Sequence, residues 1–153
     1  MPPVQPASAL TDHLGFWLRL VSNQVSQAFA TRLESVGVTV AEWVMLRALY
    51  GAAPESPTRL AETMGMTKGA ITKLADRLIA KGLIVRRPST EDARAQTLAL
   101  TQAGTRLVPQ LAALADANDA DFFAALTPGE RKALEKTLRR LAARFGKSPL
   151  PID

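Results

Sequence analysis

Residues Pro57–Thr101 read PTRLAETMGMTKGAITKLADRLIAKGLIVRRPSTEDARAQTLALT, and the spacing of apolar side chains along this stretch decides the fold. Leu60, Ala61 and Met64 form the apolar stripe of a short helix. Gly65 ends that helix in a turn too short for anything but a sharply angled second helix. Thr67 is placed to cap the second helix, and Ile71, Leu74, Ala75 and Leu78 follow the i, i+3, i+4, i+7 spacing that seats one face on a core. Lys68, Gly69, Thr72, Lys73, Asp76 and Arg77 are left facing outward. Behind the helix, Gly82 supplies a left-handed cap, and LIVRR then LAL alternate as two short strands joined by the loop PSTEDARAQ. This order of elements predicts a winged helix-turn-helix, with the joining loop as the wing.

A helix that lies in a major groove roughly 12 Å wide needs hydrogen-bonding tips to read base edges and cations to replace phosphate counterions. The outward face meets that need with Thr67, Lys68, Gly69, Thr72, Lys73 and Arg77. Arg86 and Arg87 on the first strand suit phosphate anchoring. In the wing, Asp92-Ala93-Arg94 places a carboxylate beside an arginine, which would restrain a long side chain aimed at a narrow, A·T-rich minor groove. From Thr58 to Arg94 eight basic residues stand against four acidic ones, so +4 of the chain's net charge of +5 lies where the recognition elements are. Two plainer readings exist: a solvated lysine-rich helix face, and a wing-tip ion pair worth little. A different class of function is a winged-helix module whose basic face serves protein assembly without specific DNA readout.

The segment TRLAETMGMTKGAITKLADRLIAKGLIVRRPSTEDARAQTLALTQAG resembles the core of the multiple-antibiotic-resistance regulator (MarR) family, and the order of elements agrees over nearly the whole chain. The strongest matches are DRLIAKGLIVRRPSTEDAR, with Asp92 and Arg94 at the wing's D-x-R positions, and the L-x-L-T-x-x-G run from Leu98 to Gly104. Many members carry a second arginine just before the wing-tip arginine. Here that position is Ala93, so the resemblance implies a minor-groove contact that relies on Arg94 alone. It also implies a homodimeric transcriptional regulator that binds double-stranded DNA, and small aromatic or phenolic acids as effectors bound between the first helices and the dimerisation helices.

Composition bounds the alternatives. A chain of 153 residues suits one compact domain with an ample core. The absence of cysteine excludes a disulfide framework and thiol-based redox sensing, and suits a reducing cytoplasm. No basic start followed by an apolar run opens the chain, and no apolar run is long enough to span a bilayer, so no membrane partner is expected. His13 is the only histidine, metal-ligand spacing is absent, and no glycine-rich phosphate loop follows a strand. Neither a catalytic residue nor a metal nor a cofactor is expected, and the chain reads as a regulator rather than an enzyme.

The flanks read as helices. Leu10, Leu14, Trp17, Leu18, Val21, Val25, Phe29 and Leu33 mark a long first helix, and Gly37 lies in the break after it. Thr39-Val-Ala-Glu42 is a capping box opening a second helix, with Trp43, Leu46 and Leu49 on its buried side. Ser56-Pro57 supplies a cap and a first-turn proline. Thr101 opens a long helix toward Ala125 in which Pro109 should introduce a kink, and Thr127-Pro128-Gly129-Glu130 caps a last helix ending near Gly146. The first few residues and the SPLPID tail look disordered. Residues 1–153 thus form a single domain, with 39–101 as the DNA-binding core and 8–36 and 102–146 as a helical dimerisation region. A small monomer would struggle to cover the stripes of Leu111, Leu114, Phe122, Leu134, Leu138 and Leu141, although these helices could instead only complete the protomer's own core. For an effector, His13 and Trp17 are four apart on one helix and Trp43 and Arg47 four apart on another, giving two aromatic walls and two partners for a carboxylate. A tryptophan at helical spacing is equally at home in a core, and a histidine near a terminus in solvent.

Overall fold

A computed structural model describes every residue except Ala93, Lys147 and Asp153. Among the described residues, six α-helices and one hairpin follow in the order α1 (Leu14–Glu34), α2 (Val40–Leu49), α3 (Pro57–Met64), α4 (Lys68–Ala80), β1 (Ile84–Pro88), β2 (Gln96–Leu100), α5 (Gln102–Phe122) and α6 (Pro128–Ala143). The class is the expected one, mainly α with a small antiparallel hairpin.

Local chemistry sets most of these boundaries. Thr39 and Glu42 exchange side-chain bonds with each other's backbone N–H at the start of α2, and Thr127 and Glu130 do the same for α6. Ser56 caps α3 ahead of Pro57, and Thr67 caps α4 by accepting from the Ala70 N–H at 3.1 Å. Gly65 closes α3 at φ 62°, a left-handed conformation that costs a side-chain-bearing residue free energy and that turns the chain sharply into α4. The helix α5 continues through Pro109 as one span.

One buried cluster joins these elements. Leu60 and Met64 of α3, Ile71, Leu74 and Leu78 of α4, Ile84 of β1 and Leu98 of β2 meet Met45, Leu46 and Leu49 of α2. Leu33 from the end of α1 and Val108 and Leu111 from α5 close the cluster from the other side. Leu111 therefore belongs to the chain's own core, and Leu114 and Phe122 are half-buried, which corrects the reading of all three as part of an uncovered stripe. The uncovered part lies elsewhere. Leu14, Trp17, Leu18 and Val21 on α1 and Leu134, Leu138 and Leu141 on α6 are all exposed, and no residue of α6 is buried.

The junction between wing and α5 shows why the run Leu98 to Gly104 has its composition. Thr101 caps α5 by accepting from the Gly104 N–H, while its own hydroxyl donates to the Gly82 carbonyl at 2.6 Å. Its backbone N–H bonds Leu83 O at 3.1 Å. The start of α5 is thereby pressed against the turn after α4, so close that a Cβ on Gly104 would lie 2.1 Å from the Leu83 carbonyl oxygen. Only glycine fits there.

Three features depart from expectation. Leu10–Asp12 is a separate 3₁₀ turn, and α1 starts at Leu14 because His13 is extended and the Asp12 carboxylate is occupied by the Ala9 N–H. Residue Glu55 pairs with Leu98 through two backbone bonds of 2.8 and 2.9 Å, adding a one-residue third edge beside β2. The tail is not free: Leu150 N–H donates to the Thr63 carbonyl at 2.9 Å, and Ile152 packs half-buried against the core.

Candidate nucleic-acid interface

The apolar face of α4 is consumed by the core, and this fixes which side chains look outward. Ile71, Leu74, Ala75 and Leu78 are buried, whereas Lys68, Gly69, Thr72, Lys73, Asp76 and Arg77 are all exposed, together with Thr67 at the N-cap. The first-turn N–H groups of α4 that the helix leaves unpaired add a partial positive charge at the same end. A helix N-terminus flanked by Lys68 suits a phosphate.

Hydrogen bonding restricts what Thr72 can present. Its hydroxyl donates to the Lys68 carbonyl at 3.0 Å, so the donor is used within the helix and the free face offers a methyl group and acceptor lone pairs. Such a surface matches a thymine methyl or an exocyclic amino group of adenine or cytosine. Lys73 stands beside it, exposed.

The two strand arginines, adjacent in sequence, do different things because alternate side chains of a strand point to opposite faces. Arg87 shares a groove with Glu55, Arg59, Ser89 and Thr90, between the wing and the loop before α3. Arg86 points the other way and pairs with Asp76 of α4 at 2.5 Å. It is therefore engaged in an exposed ion pair, unlike Arg87. Lys81 is likewise engaged, with Glu42. Among the described residues, no ion pair occupies Lys68, Lys73, Arg77, Arg87 or Arg94. These five exposed cations lie on α4, on β1 and in the wing.

The wing tip is shaped by local bonds. Ser89 Oγ accepts from the Glu91 and Asp92 N–H groups, and Ser89 N–H donates to Ala95 O at 2.9 Å. Asp92 Oδ1 accepts from the backbone N–H of Arg94 at 3.0 Å. The carboxylate thus grips the backbone of the turn and not the guanidinium, because an Asx side chain reaches the N–H two residues on more readily than the end of a long side chain. Arg94 is left exposed at the tip. Ala93, the departure from the family pattern, lies outside the described residues.

Behind α4, the buried Glu42 carboxylate receives the Lys81 ammonium at 2.8 Å and the Thr39 N–H at 3.0 Å. Burial raises the Glu42 carboxyl, but the hydrogen bonds from Lys81 and Thr39 and the charge of Lys81 outweigh it and hold the group below its ordinary value. Lys81 also donates to Gly37 O at 2.7 Å, so one ammonium ties the end of α4 to the α1–α2 turn. A buried glutamate inside a capping box and a lysine 39 residues away gave no sign in the sequence of being partners.

The four effector candidates fall at two levels of the fold. His13 bonds Ser8 and Leu10 O, and Trp17 Nε1 donates to Thr11 O, all at the exposed N-terminal end of α1. Trp43 packs edge-on against Phe29 at 6.3 Å between ring centres, and Arg47 stacks over Tyr50. Trp17 and Phe29 are twelve residues apart on α1, about 18 Å along a helix, so the chain does not by itself bring the two aromatic walls together. Among the described residues no group of histidine, cysteine or carboxylate side chains is arranged to hold a metal, and no helix is long and apolar enough to cross a membrane.

Comparison with known proteins gives one consistent answer. A family model described as "MarR family" matches residues 36–95, from before α2 to the wing. The Thauera aromatica protein named "Putative transcriptional regulatory protein for hcr operon" is 30% identical over 145 residues, which span 94% of this chain and 87% of that relative. A crystal structure of a MarR-family transcriptional regulator from Rhodococcus sp. RHA1 is 28% identical and superposes with a TM-score of 0.77, covering 90% of this chain and 99% of the other. CouR from Rhodococcus jostii RHA1, crystallised with p-coumaroyl-CoA, is 27% identical, with a TM-score of 0.74 over 93% of this chain and 100% of its own.

Proposed function

This chain belongs to the MarR family of winged helix-turn-helix, DNA-binding transcriptional regulators, and from that premise we propose that it acts as a homodimeric repressor of a palindromic operator. The observation that carries the proposal is the set of five exposed cations on α4, β1 and the wing that have no ion-pair partner among the described residues. In this reading α4 lies in the major groove, with Thr67, Lys68, Gly69, Thr72, Lys73 and Arg77 against the DNA. Arg87 meets a phosphate, and Arg94, on a turn shaped by Asp92, enters the minor groove.

Two copies are needed for affinity and register. The uncovered leucines of α1 and α6 favour a two-fold interface between these helices. Binding of a small aromatic acid or its thioester near Trp43 and Arg47, with His13 and Trp17 contributed across the crevice, would favour a dimer whose α4 helices are wrongly spaced. The ligand carried by CouR makes this chemical class the first to test. Linkage then requires DNA to weaken ligand binding by the same factor as the ligand weakens DNA binding. A repressor of this kind works inside the cell, where its operator is.

The test is the salt dependence of binding to duplexes that the protein retains from a random library. Each phosphate contact would contribute about −0.9 to the log–log slope, so several contacts give a steep fall of affinity with salt. A nearly flat dependence would favour the other reading, a module whose basic face serves protein assembly.

A further inference from the structure

The outward face of α4 carries one carboxylate, Asp76, on a surface that must approach a polyanion. Asp76 is one turn beyond Thr72 and Lys73 and is exposed, so burial does not explain it. Its contact is with Arg86 at the base of the wing, ten residues away in sequence. The bond joins the two elements that the DNA-binding reading puts into adjacent grooves.

We propose that Asp76 is a positioning residue that sets discrimination between operator and other DNA, by holding Arg86 away from the phosphates and the wing at one angle to α4. The proposal rests on the reading that α4 and the wing face DNA. Two physical effects act in the same direction. A cation engaged with Asp76 releases no phosphate counterion, so it adds nothing to sequence-independent affinity. A wing tied to α4 can satisfy both grooves only where the duplex presents them in the matching geometry, and a mismatched duplex cannot be accommodated by moving one element alone.

The experiment measures affinity and salt slope for a random-sequence duplex and for a library-selected duplex. For Asp76→Asn, release of Arg86 should steepen the random-duplex slope by about 0.9, equivalent to about fivefold tighter binding at 0.15 M salt. The selected duplex should gain less, because it loses the preset wing angle at the same time. Asp76→Ser should behave alike, providing a second variant if the amide disturbs folding, and thermal melting checks that both are folded. Adding Arg86→Gln to Asp76→Asn should abolish the gain. An unchanged slope, an unchanged ratio between the two duplexes, or a gain that persists without Arg86 would overturn the proposal. Lys68→Ala, at the α4 N-terminus that suits a phosphate, should lose about 0.9 of slope in the same assay; if it loses none, the reading of α4 as the DNA-facing helix falls, and this proposal falls with it.

Discussion

Lys81, at the C-terminal end of α4, donates one hydrogen bond to the buried carboxylate of Glu42 at 2.8 Å and another to the Gly37 carbonyl at 2.7 Å. The ammonium thereby sets where the DNA-reading helix ends relative to the helices that precede it. Removing it strands a buried charge. Lys81→Met should lower stability by roughly 1–3 kcal/mol, discounted from the cost of breaking a fully buried pair because Lys81 is partly solvated. Glu42→Gln, which keeps the capping geometry without the charge, should cost less. Because the Glu42 carboxyl is depressed in the folded chain, its stabilisation is present above the ordinary value of 4.5 and is lost as pH falls through the lower folded value. Denaturant melts of the parent and of Glu42→Gln between pH 7 and pH 3 should therefore converge at the acid end; a constant difference would show that the charge contributes nothing.

At the wing tip, Arg94→Ala should weaken DNA binding by about 1–3 kcal/mol and blunt any preference for A·T-rich flanks, with the fold intact. Asp92→Ala should give a smaller loss through a loosened turn, since its carboxylate holds the Arg94 N–H and not the guanidinium. Gel-shift titrations of both variants check this. Unchanged affinity for Arg94→Ala would remove the wing from the mechanism.

Reading and anchoring separate on different residues. Thr72→Ala removes a methyl group and an acceptor from the outward face, and with Lys73→Ala it should change the base preferred within each half-site. Arg87→Ala should weaken all duplexes alike and make the salt slope shallower by about 0.9. Selection from a random library compares them. Recovery of the parental site by both α4 variants would place base readout elsewhere.

A stability prediction comes from the start of α5. Gly104→Ala would put a methyl group 2.1 Å from the Leu83 carbonyl oxygen, and that neighbour is backbone, not a side chain that can swing away. The turn after α4 must move. The expected cost is about 1–3 kcal/mol, of the size typical of overpacking, read as a lowered denaturant midpoint. A midpoint equal to the parent's would mean that the α5 start yields freely.

The parts of this molecule that follow from nearest neighbours along the chain were legible in the sequence. The apolar stripes of α3 and α4, the caps at Thr39, Ser56, Thr67, Thr101 and Thr127, and the hairpin all appear where periodicity and capping chemistry put them. Contacts between distant side chains were not. The pairing of Arg86 with Asp76, of Lys81 with Glu42 and of Glu55 with Leu98 leaves no periodic trace, because each depends on where whole elements come to rest. Composition also misled at the tail. SPLPID reads as disordered, yet Leu150 finds a backbone partner on α3 and Ile152 an apolar surface on the core.

The central claim is that two copies present their α4 helices to one duplex across a two-fold axis. Footprinting of a library-selected duplex at single-base resolution, with light scattering on the same sample, tests it most directly. The account predicts a dimer protecting an imperfect palindrome whose half-sites lie about one helical turn, roughly 34–36 Å, apart from centre to centre. A monomer protecting a single, unrepeated half-site would contradict it.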